Sequence, residues 1–333
     1  SGGKEPGKDW KAMKALGFDC VRRISYRLSP APPHFRESLT FEIGEPRGVF
    51  AIAAAGRPLA RGAAEGAPGD VAGFATTNAR AGEALRVFKA VIAALDRDTG
   101  TKFAADFGAL ENRCRRGGLE LDALAGALSG EASFFLAPPE KFLAPPRIGV
   151  VAGVRDRGPV KDMLTAMGRS RFRDLLEARL RRKIVRRPLE NQQQFEMRVR
   201  LGMRRHIEEI RDWRLPSPLS LPTGELYLLP TQPGIRPTSA VLLSDRVILA
   251  SDDLTAKKAA AALSLKPPGR LAAREIYKRL VSELPPEPFL LAYVDSPKLY
   301  PLLSFGLPFL AGSSPELKLD PAKVPPASDV VRH

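Results

Sequence analysis

Histidine and cysteine are almost missing from this 333-residue chain, with three of the first (His34, His206, His333) and two of the second (Cys20, Cys114). Histidines so isolated leave no basis for a His-rich metal site. Two thiols so far apart match neither a zinc nor a thioredoxin spacing. They are read as unpaired, the alternative being a single disulfide in an exported protein. No apolar run approaches the ~18 residues of a membrane-spanning helix, and no signal peptide opens the chain. Also missing are the P-loop pattern G-x-x-x-x-G-K-[ST], the dinucleotide fingerprint G-x-G-x-x-G, the zinc helix H-E-x-x-H and the nucleophile elbow G-x-S-x-G. The familiar nucleotide-binding, zinc-hydrolase and serine-hydrolase classes therefore have no support. The chain is read as non-enzymatic, with no cofactor and no metal.

What is present is a sizeable apolar fraction, 44%, enough for a packed core. Thirty-one prolines, several in pairs, punctuate many short elements. The net charge of +15 favours polyanions; the plainer source of such a balance is the Arg-rich composition that a GC-rich genome imposes.

One phrase occurs four times: a short apolar run ends in Asp or Asn and an amphipathic helical pattern follows. The copies are GFATTNARAGEALRVFKAVIAAL, IGVVAGVRDRGPVKDMLTAM, VILASDDLTAKKAAAAL and FLLAYVDSPKLYPLL. Each predicts strand, N-cap, helix. Asn78, Asp156, Asp252 and Asp295 are the expected caps, because a short side-chain oxygen can accept from an orphan helix N–H. Pro159 and Pro297 fall in the first turn, where proline is tolerated. Acidic caps that converged could hold a hard cation, but capping alone accounts for them. In the first copy Leu85, Phe88, Ile92 and Leu95 are expected on the buried helical face.

Ahead of the phrase, RRISYRLS and SLTFEIGE alternate apolar and polar residues, and GVFAIAAA follows, so an antiparallel meander of three strands is expected over 21–55. The expected class is α+β: mixed, largely antiparallel sheets with helices on one face, in two related lobes, plus a basic helical pair. The boundaries read as a flexible start at 1–16, a first lobe at 17–145, a second at 146–312 and an extended Pro-rich tail at 313–333.

Residues 169–214 stand apart. They hold 15 Lys and Arg against 7 Asp and Glu, so a surplus of +8 lies in this one stretch. Phe172, Leu176, Leu180 and Ile184 form one helical stripe, and Phe195, Val199, Met203, Ile207, Ile210 and Trp213 a second. Arg179, Arg182, Lys183, Arg186, Arg187, Arg198, Arg204 and Arg205 lie off the stripes and are the candidate polyanion-binding residues. The competing reading is a solvated face whose Arg stems cover apolar surface and pair with nearby Glu.

The succession ISYRLSPAPPHFRESLTFEIGEPRGVFAI, DVAGFATTNARAGEALRVFKAVIAAL, LSGEASFFLAPP, GELYLLP, IRPTSAVLLSDRVILASDDLTAKKAAAAL, FLLAYVDSPKLYPLL and DPAKVPPASDVVRH resembles planctomycete-type exported proteins that share a domain of unknown function. The resemblance runs from about residue 17 to 333 and carries no catalytic residue or cofactor with it. It implies export, periplasmic or cell-surface, the alternative being cytoplasmic. It also implies an export signal and a further strand ahead of this region, and chain beyond 329–333. The basic segment is its least family-like part and is expected to be an insertion. The function expected is a non-enzymatic binding or scaffold protein of the bacterial cell envelope, its partner an unknown protein or an anionic envelope component. The alternatives are a carrier holding an apolar ligand between sheet and helices, and a binder of nucleic acid or anionic lipid through the Arg-rich helices.

Overall fold

The computed structural model describes residues 8–31, 34–59, 64–139, 146–184, 190–230, 239–282, 290–299 and 302. These described residues divide between two compact units, one drawn from those up to 57, 79–116 and 120–126, the other from those in 58–78, 117–119 and from 127 onward. The fold is α+β.

In the first unit, α1 (Lys8–Ala15) occupies what reads in sequence as a flexible start, and a hairpin follows, β1 (Val21–Ala31) with β2 (His34–Ile43). The expected third strand is instead helix α2 (Val49–Ala55). Four of its seven residues are alanine, the strongest helix former, and alternation is lost after Val49. Helix α3 (Ala81–Thr99) buries Val87, Val91 and Ile92 and ends on Gly100 in the left-handed region (φ 72°). Phe88, expected inside, is 45% exposed and meets Phe107 edge-on at 5.2 Å. Phe107 belongs to α4 (Phe103–Arg116), none of whose residues is fully buried; α5 (Leu121–Ala127) follows. The Asp96 carboxylate accepts the Phe103 and Ala104 N–H groups at 2.7 and 2.8 Å and so starts α4. Lys89 ties α3 to α4 and α5 through Glu111 at 2.7 Å and Asp122 at 3.0 Å. Cys20 and Cys114 are separate thiols.

The second unit is built on an eight-stranded sheet. Its strands are β3 (Gly73–Asn78), β4 (Leu128–Ala137), β5 (Arg147–Val154), β6 (Leu219–Leu221), β7 (Gly224–Leu228), β8 (Ser239–Leu242), β9 (Arg246–Ala250) and β10 (Leu290–Val294). They lie in the order β10-β3-β4-β5-β9-β8-β7-β6, and every pairing among them is antiparallel, in keeping with the largely antiparallel sheets expected. The strands of all four copies of the repeated phrase share this one sheet. A lobe boundary at 145 would cut between β4 and β5, which are paired neighbours. Helix α9 (Asp253–Leu265) buries Ala256, Ala259 and Ala260, small residues that let it lie close on β5, β8 and β9. Phe135, Val151, Leu226, Val241 and Ile248 fill the same core, joined by Tyr277 of α10 (Glu275–Ser282) and by Leu291 and Tyr293 of β10. The Phe135 ring lies over Gly149, its register partner in β5, where a Cβ would stand 2.1 Å from Cζ. A pocket of about 240 Å³ lies elsewhere, in the first unit, lined by helix residues such as Ala15, Ala51, Val87 and Val91.

Candidate polyanion-binding face

The second copy of the phrase opens a helix far longer than expected. Asp156 Oδ1 accepts the Gly158 N–H at 2.9 Å, and α6 runs unbroken from Arg157 to Lys183. The first third of the basic segment, 169–183, is thus the continuation of the helix that Asp156 starts. Val160, Leu164, Gly168 and Leu176 are buried along it. Helix α7 (Gln192–Arg204) starts with a capping box, in which Asn191 accepts the Gln194 N–H at 2.8 Å and the Gln194 side chain accepts the Asn191 N–H at 3.2 Å. Val199 is fully buried, and Gly202 faces Leu180 and Ile184 of α6. The second stripe breaks at Arg205 and His206, where α7 gives way to the short α8 (Ile207–Arg211), and Ile207 points outward instead of joining the stripe. Trp213 is half-buried against Gly168, as a core role requires.

Charges on this hairpin sort into two groups. Arg181 bridges Glu177 of its own helix at 2.8 Å and Glu196 of α7 at 2.7 Å. Its hydrogen bond is the main cause holding the Glu196 carboxyl below the usual range. Arg198 bonds the buried Glu190 carboxylate at 3.0 Å and so leaves the candidate set for an internal ion pair. Arg211 lies near Glu208 and Asp212 at 3.8 and 3.6 Å. Arg179, Arg182, Lys183, Arg204 and Arg205 form the other group. All five are exposed, and none makes an ion pair with a described residue. Arg186 and Arg187 lie outside the described residues.

Positions 179, 182 and 183 are spaced i, i+3 and i+4, so they share one face at the end of α6. Arg200, which sequence reasoning passed over, is exposed and falls one turn before Arg204 on α7; the i, i+4 spacing was the available signal. The last turn of α6 carries Arg181, Arg182 and Lys183, where cations also complement the helix dipole.

A second charged cluster fixes the other end of α6. Glu225 Oε2 accepts Arg157 Nη2 and the Tyr227 hydroxyl, each at 2.7 Å, with Lys161 Nζ at 3.6 Å. The Tyr227 hydrogen bond, with the two cations, holds the Glu225 carboxyl low against the cost of its burial. Burial first, and then Glu225, push the Tyr227 phenol up to about 12. A low carboxyl and a high phenol are poorly matched to proton transfer near neutral pH, so the cluster is a clamp between α6 and β7.

The four expected caps divide. Asp156 caps as expected. Asp252 does too: Oδ1 accepts the Thr255 N–H at 2.7 Å, and Oδ2 accepts the Thr255 and Ser251 hydroxyls at 2.7 and 2.9 Å. Asn78 does not cap. It ends β3 and donates to the Pro58 carbonyl at 3.2 Å, and α3 starts three residues later behind Arg80, without a side-chain cap. Asp295 sits before a helical turn, but its carboxylate accepts from Lys298 Nζ at 2.8 Å and Arg274 Nη1 at 3.2 Å, not from a backbone N–H. The caps do not converge: among the described residues no group of three His, Cys, Asp or Glu could hold a metal ion, and no described helix is long and apolar enough to cross a membrane. Comparison of the chain with family models, with curated proteins and with solved structures gives no match.

Proposed function

We propose that this is a binding protein whose α6–α7 hairpin docks on an anionic polymer or surface through Arg179, Arg182 and Lys183, extended by Arg204 and Arg205. One observation carries the reading. Cations of the same segment that have a carboxylate in reach, Arg181 and Arg198, are neutralised within the hairpin, whereas these five are left exposed and without an ion-pair partner among the described residues. A run of repeating negative charge is the ligand chemistry that matches several fixed, solvated cations on one face. The family resemblance supports an exported setting, the cell envelope, with its anionic lipids and glycans as the natural source of that charge.

The test is a salt titration on the intact chain. Binding to vesicles of phosphatidylglycerol, to vesicles of phosphatidylcholine and to a labelled oligonucleotide is followed from about 50 to 300 mM salt, where affinity for a phosphate array falls linearly in log–log form. The triple substitution Arg179→Gln, Arg182→Gln, Lys183→Gln should flatten that slope while leaving thermal unfolding near that of the parent, since all three side chains are exposed. Preference for the anionic vesicles places the protein on lipid, and preference for the oligonucleotide on nucleic acid. No binding to any polyanion at the lowest salt ends the proposal.

A further inference from the structure

The β1–β2 hairpin is a sheet of two strands, and among the described residues both of its outer edges are unpaired. An isolated two-stranded ribbon is marginal in water, and an open edge is a template for another strand. The register sets Ile24 opposite Phe41 and Tyr26 opposite Leu39, so one face carries an apolar row. Ile24 is 59% exposed and Tyr26 61%. The β1 edge is interrupted by Pro30, whereas β2 has no proline over its ten residues and so offers a complete set of N–H donors.

The sequence of β2 is complementary to itself. Gly44 N–H donates to the Cys20 carbonyl at 2.8 Å, across toward β1. Strand alternation then turns the N–H and C=O groups of the odd-numbered residues, 35 to 43, toward the open edge. Two copies of β2 laid antiparallel about a two-fold axis at Leu39 bond to each other through those groups. In that register Arg36 stands opposite Glu42 twice, Phe35 opposite Ile43 twice, and Leu39 opposite itself; Glu37 opposite Phe41 is the poorly matched pair. The Arg36 and Glu42 positions are non-hydrogen-bonded pairs, where opposed residues approach most closely and opposite charges are favourable. Moving the axis one residue either way sets Arg36 against Thr40 or Gly44 and loses the charge match. A two-fold interface requires this reciprocity, in which one residue meets a second and the second meets the first.

We propose that two copies of this chain associate through β2, giving a continuous four-stranded antiparallel sheet, β1-β2-β2-β1, with Arg36 and Glu42 matched across the two-fold axis. The test uses the full chain, with light scattering on a sizing column over about a hundredfold range of concentration. The wild type is expected to reach twice the monomer mass. Arg36→Glu and Glu42→Arg alone each create two like-charge pairs across the axis and should weaken the dimer about tenfold or more; Glu42→Arg also sets an arginine opposite Arg23 of its own hairpin, so the double variant, which restores both pairs across the axis, should dimerise more tightly than either single variant. Circular dichroism of all three variants shows whether they fold. Hydrogen exchange of the wild type gives an independent reading: odd-numbered amides of 35–43 should be protected at high concentration and lose that protection on dilution. The proposal is overturned by a monomer at every concentration, by single variants that dimerise like the wild type, by a double variant no stronger than the singles, or by protection that ignores dilution.

Discussion

The six-membered ring of the Trp213 indole meets the backbone of Gly168, so closely that a Cβ at position 168 would stand 2.1 Å from Trp213 Cη2. This contact anchors the chain that follows α8 to the middle of α6, and it is possible only because residue 168 has no side chain. A second glycine on the same hairpin, Gly202, has Leu180 Cδ1 at 3.4 Å from the place of its missing Cβ, an ordinary contact distance.

The two glycines should respond in opposite ways to alanine. Gly168→Ala gains about 1 kcal/mol of helix propensity but forces the indole out of a packed site, an overpacking cost of about 1–3 kcal/mol, so net destabilisation is expected. Gly202→Ala takes the propensity gain without the clash and should stabilise by about 0.5–1 kcal/mol. Urea unfolding measures both. Tryptophan fluorescence should shift for Gly168→Ala and stay constant for Gly202→Ala, and a stable Gly168→Ala with unshifted emission would show that the indole is not held there.

Tyr277 is 3% exposed and packs edge-on against Tyr293 at 5.7 Å and Phe74 at 6.5 Å. Its hydroxyl is buried and has no hydrogen-bond partner among the described residues, and burial alone pushes the phenol up to about 12. An unsatisfied buried hydroxyl costs about 1–3 kcal/mol. Tyr277→Phe keeps the ring packing and removes that cost, so the variant should unfold at higher denaturant than the parent. A clear loss of stability would mean that the hydroxyl is bonded after all.

Asp252 gives the fold a defined acid sensitivity. Its burial opposes ionisation, but the Thr255 N–H, the Thr255 and Ser251 hydroxyls and the nearby Arg147 charge prevail and hold the carboxyl below its ordinary value. The folded-state pKa is thus lower than the unfolded one. The contribution is complete above the unfolded value, about 3.9, and is lost as pH falls through the folded one. Asp252→Ala should cost about 1 kcal/mol at neutral pH, as the loss of a helix cap does. The gap between parent and variant should narrow as the pH of the unfolding experiment drops below about 4. A gap that stays constant into strong acid would rule out the charged cap as its source.

Local chemistry was readable in the sequence wherever it is decided by neighbours along the chain. Asp156 and Asp252 cap because an acidic residue, two or three residues ahead of an orphan N–H, needs only its own backbone to be placed. The apolar stripes of α6 and α7 are of the same kind. Asn78 shows where this ends. Its place at the end of an apolar strand matched the pattern, but the Pro58 carbonyl, twenty residues away, is what its side chain bonds. GVFAIAAA failed for a different reason: a short apolar run has no decisive periodicity, and alanine content settled it as helix. Of the candidate site, the excess of positive charge was visible at once. Which cations are free was not, because Arg181 and Arg198 lose their freedom to Glu196 and Glu190, and only the pairing of α6 with α7 brings Arg181 to Glu196.

Composition and short-range order set the class of molecule: an α+β chain with a real core, a surplus of arginine in one segment, and helices that start at acidic residues. These follow from propensities and from interactions within about one turn, which act before any tertiary contact exists. Long-range pairing settled the rest. It gathered the four repeated strands into a single antiparallel sheet, ran the second helix on into the basic segment, and divided the arginines into those with and those without an ion pair among the described residues. Strand partners and ion-pair partners are chosen by which faces can be buried together, and that depends on residues far apart in the chain.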